Sequence, residues 1–145
     1  MSDTKECLFC RIAAGTVPSH PVYESGTLYA FLDINPIRPG HTQIVPRKHY
    51  PYFDLMPSEL AAEIVALGQI LARTLEQIYA VERVGFLFTG SDIPHAHAHV
   101  VPMVSPTDIT SRQYIAEESV TFRPTARASD DELVSVARVL CSALE

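Results

Sequence analysis

The stretch His95-Ala96-His97-Ala98-His99-Val100-Val101 alternates imidazoles with apolar residues. Alternation with a period of two belongs to a strand, whose successive side chains point to opposite faces. Residues 95–103 are therefore predicted as a strand, with three histidines on one face and Ala96, Ala98 and Val100 on the other. Neighbouring imidazoles on such a strand stand about 6.5–7 Å apart. The strand has a chemical side and a packing side.

The segments around it can be placed by the same rules. Gly90-Ser91-Asp92-Ile93-Pro94 reads as a turn, preceded by a strand over residues 85–89. Before that comes a long helix. Pro57 suits its first position, and Leu60, Ile64, Leu67, Leu71, Leu75 and Ile78 form one apolar stripe. Gly68 lies inside the stripe and costs about 1 kcal/mol relative to Ala, unless close packing uses its missing side chain. Toward the N-terminus, residues 8–14 read as a short amphipathic helix stopped at Gly15. Residues 22–24 and 28–33 read as strands joined at Ser25-Gly26, and the turn signals Asn35-Pro36 and Pro39-Gly40 lead to a strand over 42–46. That order suggests an antiparallel meander. Val120-Thr121-Phe122 reads as a short strand. Ser129-Asp130-Asp131-Glu132 is a capping box that opens a last helix, with Leu133, Val136, Ala137, Leu140 and Leu144 on one face. The whole reads as α+β: an antiparallel sheet of about five strands, one face covered by helix, with a long helix and a C-terminal helix.

The chain of 145 residues suits one domain, and it has no internal repeat or Gly/Ser linker. With 47% hydrophobic residues it can fill a core without disulfide staples. The net charge of −6 argues against binding a nucleic acid polymer, because nothing offsets phosphate repulsion over a broad face. A small phosphorylated ligand remains compatible with one locally positive pocket. No apolar run is long enough for a membrane span, and no secretion signal is visible at the start of the chain. Three cysteines, an odd number, fit reduced or metal-bound thiols in a cytoplasmic protein.

Three alternating histidines in a chain with six in all point to chemistry rather than packing. One reading is a zinc hydrolase in which His95, His97 and His99 hold a catalytic ion. Its weakness is that such sites need an acid nearby, and Asp92 in the turn is the one acid close in sequence. The other reading is direct attack by an imidazole on phosphorus. That requires a neutral Nε2 fixed by a hydrogen bond at Nδ1, together with donors for the non-bridging oxygens. His97 has a neighbour on each side and is the natural nucleophile. Gly90, Ser91 and Asp92 can offer backbone N–H groups and a hydroxyl to a phosphate.

At this point the chain resembles the histidine triad (HIT) superfamily of nucleotide hydrolases and transferases. His95-Ala96-His97-Ala98-His99-Val100-Val101 looks like the family's His-φ-His-φ-His-φ-φ signature. Cys7-Leu8-Phe9-Cys10-Arg11-Ile12, Phe31-Leu32-Asp33-Ile34, Pro39-Gly40-His41-Thr42 and Pro46-Arg47-Lys48-His49 look like its other ordered blocks. The resemblance spans about residues 5–104 and leaves 105–145 as a divergent C-terminal extension. It implies that His97 attacks the α-phosphorus of a nucleoside 5′-monophosphate conjugate, either a phosphoramidate or a phosphoanhydride, and carries a transient nucleotidyl group. It implies that His99 contacts phosphate or leaving group and that His95 belongs to the orienting network. Asp33 would accept from the ribose hydroxyls, with Phe31 and Ile34 packing on the base. The family grips phosphate or leaving group with a Gln and an Asn where this chain carries Ser91 and Thr89. Those departures motivate a competing reading, a non-catalytic nucleotide- or partner-binding module on the same fold. No chemistry is assigned to His20 or His41.

Cys7-x-x-Cys10 by itself fits a redox pair, half of a zinc site, or two plain thiols. In some members of the resembled family such a pair shares a zinc with two histidines, which here would be His49 and His95. That closed shell would be structural and is not required for the chemical step. Cys141, beside Leu140 and Leu144, is expected in the core. The apolar surface of the long helix and of strand 85–89 exceeds what one helix–sheet face needs. Together with the resemblance, it predicts a homodimer.

Overall fold

The computed structural model describes residues 4–90, 92–109, 116–119, 121 and 124–145. Ser91, Val120 and Phe122, to which the sequence assigned a phosphate contact and a short strand, lie outside the described residues. Helix α1 (Leu8–Ala13) is followed by strands β1 (Pro21–Glu24), β2 (Leu28–Leu32) and β3 (Thr42–Pro46). Helix α2 (Ser58–Tyr79), strands β4 (Val84–Phe88) and β5 (Ala98–Pro102), and helix α3 (Asp130–Leu144) complete the order. The strands form one sheet in the order β1-β2-β3-β5-β4, and every neighbouring pair is antiparallel. This is the α+β architecture expected from the hydrophobic patterns.

One face of the sheet packs under α2 and α3. Leu28, Ala30, Leu32, Ile44, Ala98 and Val100 meet Ile64, Leu67, Leu71 and Leu75 of α2 and Leu133, Ala137 and Leu140 of α3. Most of the predicted stripe of α2 is buried, but Ile78 at its end remains 36% exposed. At Gly68 the missing side chain is used by the sheet: a Cβ there would overlap the ring of Phe86 on β4. The helix starts one residue later than expected. Pro57 caps it, its carbonyl accepting from the N–H groups of Leu60 and Ala61. Of the capping box at α3, the described bond is from the Glu132 N–H to Ser129 Oγ at 3.2 Å.

The opposite face is also covered, which the sequence did not anticipate. Phe9 and Ile12 of α1 pack on Tyr29, Phe31 and Val45, so all five residues of β2 and of β3 are buried. The continuous apolar run Leu28-Tyr29-Ala30-Phe31-Leu32 has this cause: a strand buried on both sides does not alternate.

The histidine strand is shorter than predicted. It begins at Ala98, so His95 and His97 precede it. The physical reason lies in their backbone bonds. The His95 N–H donates to the Ile93 carbonyl at 2.8 Å and the Ala96 N–H to the Tyr50 carbonyl at 2.7 Å. These bonds hold the chain in a turn against residue 50 rather than in the ladder.

Candidate functional site

Strand register creates the floor of the site. Phe31 pairs with Gln43, Gln43 with His99, and His99 with Leu87. Directly paired residues share a face, so Gln43 and His99 stand side by side on the face opposite α2. His97 is buried and His99 half-buried. Their ring centroids are 5.0 Å apart, and Phe9 of α1 packs edge-on against His97, also at 5.0 Å.

The protons on these rings follow from their fixed partners. The Nδ1–H of His97 donates to the His95 carbonyl at 2.7 Å, so its Nε2 presents a lone pair. The Ile37 N–H donates to His41 Nδ1 at 3.2 Å, which puts the proton of neutral His41 on Nε2. That N–H donates to His99 Nδ1 at 2.9 Å, and His99 therefore carries its proton on Nε2. Burial pushes His41 down against the pull of Asp33, and burial pushes His99 down to about 4, where the neighbouring imidazoles of His41 and His97 add to the shift and Asp33 and Asp92 oppose it. Both rings are neutral near pH 7.

Asp33, just past the end of β2, is held from two sides. Its Oδ1 accepts the Asn35 N–H at 2.8 Å and its Oδ2 accepts the Gln43 amide at 2.7 Å. Its Oδ2 also lies 3.7 Å from His41 Nε2. Of the two residues expected against a base, Ile34 is 43% exposed and open to a ligand. Phe31 is 5% exposed and stacks edge-on with Phe9 at 5.6 Å, so it supports the site from within the core. Thr89 is exposed, and its Oγ1 lies 3.3 Å from His97 Nε2 and 3.2 Å from His99 Nε2. Gly90 and Asp92, before the triad, are also exposed. Sequence reasoning missed His41 and Gln43. The block Pro39-Gly40-His41-Thr42 was the available signal for the first, and Gln43 had none.

The residues of the C-terminal extension brace the loop that carries Asp33 and His41. Arg38 makes two hydrogen bonds to Asp108, both at 2.9 Å. The Ala128 N–H donates to the Ile34 carbonyl at 2.8 Å. Cys141 sits at the edge rather than in the core: it is half-buried, with its Sγ 3.4 Å from the Val22 carbonyl.

A second cluster lies behind the triad. Cys7, Cys10, His49 and His95 bring four ligand atoms within 4.8 Å of one another. His95 Nδ1 is 3.3 Å from Cys7 Sγ, 3.4 Å from Cys10 Sγ and 3.2 Å from His49 Nδ1. Bonds of about 2.0–2.3 Å in a tetrahedron put ligand atoms about 3.3–3.8 Å apart, so this set fits a zinc ion. The Nε2–H of His95 donates to the Pro46 carbonyl at 2.9 Å, leaving Nδ1 as a lone pair aimed into the cluster. Burial, then the neighbouring Cys7, pushes the Cys10 thiol up to about 11. Among the described residues, His95, His97 and His99 do not converge as ligands of one ion. This corrects the zinc-hydrolase reading: His95 turns to the cysteines, while Nδ1 of His97 and of His99 are each engaged elsewhere. Asp33, His41 and His99 also cluster, but the proton on His41 Nε2 occupies the position a cation would need.

The HIT-domain family model matches residues 14–105, well over half of the chain. The chain belongs to the HIT family. An uncharacterised HIT-like protein of Methanocaldococcus jannaschii is 35% identical over 100 residues, 66% of this chain and 78% of that one. The adenosine 5′-monophosphoramidase of Saccharomyces cerevisiae is 30% identical over 97 residues, 66% of this chain and 61% of the yeast protein. Among solved structures, a zinc-bound histidine triad protein of Mycobacterium smegmatis superposes with a TM-score of 0.74 at 26% identity. That match covers 98% of this chain and 95% of the mycobacterial one. It reaches through the C-terminal extension of this HIT protein, beyond the residues that the family model matches.

Proposed function

We propose that this HIT protein is a nucleotidyl hydrolase or transferase acting on a nucleoside 5′-monophosphate joined to a leaving group by a P–N or P–O bond. The observation that carries the reading is the bond from His97 Nδ1–H to the His95 carbonyl, 2.7 Å long. It fixes the tautomer of His97, so that the lone pair of the unprotonated ring, at Nε2, faces the same point as the Nε2–H of His99. The lone pair forms a bond to the α-phosphorus as the bond to the leaving group breaks, and the leaving group departs with the electron pair of the broken bond and, when it is an amine, with a proton taken from solvent. His99 Nε2–H donates to the charge developing on the phosphoryl or leaving-group atom. Water then adds to phosphorus, the P–N bond returns its pair to His97, and a proton goes to solvent. Asp33 accepts the ribose hydroxyls, the base lies against Ile34, and the turn at Thr89, Gly90 and Asp92 meets the phosphate. The yeast phosphoramidase is the relative that supports a phosphoramidate as the first substrate to try.

Cys7, Cys10, His49 and His95 would hold a zinc ion, which supplies a structural cross-link between α1 and the start of the triad. With four protein ligands it has no open position for an activated water. Three free cysteines suit a reducing, cytoplasmic compartment. Among the described residues no helix is long and apolar enough to cross a membrane. β4 is an edge strand of the sheet, and Val65 at 45% and Phe86 at 37% are exposed on α2 and β4. They support a homodimer formed along that edge.

The test is adenosine 5′-phosphoramidate with wild type and His97→Ala. The wild type should release AMP and, when quenched, carry a nucleotidyl adduct on His97. Loss of the nucleophile should lower turnover by more than about a thousand-fold. Unchanged turnover in His97→Ala overturns the mechanism. Nucleotide binding without turnover of phosphoramidate or phosphoanhydride probes supports the binding-module reading instead.

A further inference from the structure

The hydrogen bonds of the triad run in one direction from end to end. The Ile37 N–H donates to His41 Nδ1, and His41 Nε2–H donates to His99 Nδ1. At the far end, His97 Nδ1–H donates to the His95 carbonyl. A backbone N–H cannot accept and a carbonyl cannot donate, so neither end can reverse. Between them stands Thr89. With His99 protonated at Nε2, its N–H donates to Thr89 Oγ1 at 3.2 Å. With His97 bare at Nε2, the Thr89 hydroxyl donates to it at 3.3 Å. One hydroxyl oxygen accepts on one side and donates on the other, joining the two rings without disturbing either tautomer.

We propose that Thr89 is a positioning residue that holds the lone pair of His97 and the N–H of His99 on one point until a phosphoryl group displaces it. The proposal rests on His97 being the nucleophile. Accessibility supports it: His97 is 3% exposed, whereas Thr89, lying against its Nε2, is open to solvent. An incoming phosphoryl oxygen takes the hydroxyl's place as acceptor for His99 Nε2–H, and the uncovered lone pair meets phosphorus. No bond to Thr89 forms or breaks. Thr89 puts donor and acceptor on a single atom, so the relay closes in the free protein.

Two measurements test this, one independent of turnover. In histidine-labelled free protein, nitrogen–proton NMR should show a slowly exchanging Nε2–H on His99. Thr89→Val, which keeps the volume and removes the hydroxyl, should let that proton exchange fast, and Thr89→Ser should restore its protection. With adenosine 5′-phosphoramidate, Thr89→Val should raise KM and so lower kcat/KM about ten-fold with kcat little changed, because fewer free molecules hold both rings in the competent arrangement, and Thr89→Ser should recover most of it. A His99 Nε2–H equally protected in Thr89→Val overturns the relay. If wild type turns over no nucleotide probe, the proposed function fails while the NMR result still decides the relay.

Discussion

The carbonyl of His95 accepts the Nδ1–H of His97 at 2.7 Å while the ring of His95 faces Cys7 and Cys10. One residue thus belongs to both clusters, its side chain to the cysteines and its backbone to the proposed nucleophile.

Metal content follows from the first of these. Protein purified without chelators should contain one zinc per chain by elemental analysis. Cys7→Ser and Cys10→Ser should each reduce it, and chelation should lower the thermal midpoint, because a metal that binds only the folded chain stabilises it. Stoichiometric zinc in the double variant would place the ligands elsewhere.

His99 gives the stability a pH dependence. Its pKa is pushed down to about 4, chiefly by burial, against about 6.5 for a histidine in the unfolded chain. Between those values the unfolded state binds the extra proton, so stability rises with pH and is lost as pH falls from about 6.5 toward about 4. Urea unfolding of wild type and His99→Gln across that range should show the steeper acid loss in wild type. Parallel profiles would mean that His99 does not resist protonation in the folded protein.

The Gln43 amide holds Asp33 Oδ2 at 2.7 Å. If that carboxylate receives the ribose, Asp33→Asn should lower kcat/KM by about ten- to a hundred-fold, the range for a hydrogen bond to a charged group. Most of the loss should appear in KM. Gln43→Leu should shift KM in the same direction by less. Steady-state kinetics with ribo- and 2′-deoxyribonucleotide phosphoramidates checks both, and an Asp33→Asn effect confined to kcat contradicts a ribose role.

Helix α2 ends at Ala80 in the left-handed region, with φ 51°. A Cβ is disfavoured there, and glycine is the usual residue at such a helix end. Ala80→Gly should stabilise the protein by about 0.5–1 kcal/mol in denaturant unfolding. A loss of stability would show that the Ala80 methyl contributes more by packing than the backbone loses by strain.

Sedimentation at micromolar concentration should show a dimer. Val65→Glu, on the exposed face of α2 beside that edge, should shift it toward monomer by placing a charge in the apolar contact. A wild type that sediments as a monomer removes the homodimer.

The α2 stripe from Leu60 to Leu75 and the triad alternation were both legible because each is a local period, written within a few turns or one strand. Even so, the strand prediction for His95 and His97 failed. The His95 N–H bonds to Ile93 and the Ala96 N–H between them bonds to Tyr50, and the second of these partners is far away in sequence. The two-sided burial of β2 was likewise hidden until α1 was placed over Tyr29 and Phe31.

By itself the sequence determined the fold class, the row of imidazoles and the cysteine pair, because residue type and short-range spacing suffice for those. Only tertiary structure decided how the imidazoles divide. The pairing of Gln43 with His99 across β3 and β5, and the loop that brings His41 to 2.9 Å from His99, assign protons that no spacing encodes. A histidine's tautomer is set by its partner at the other nitrogen: a backbone N–H for His41, a backbone carbonyl for His95 and His97, and the ring of His41 for His99.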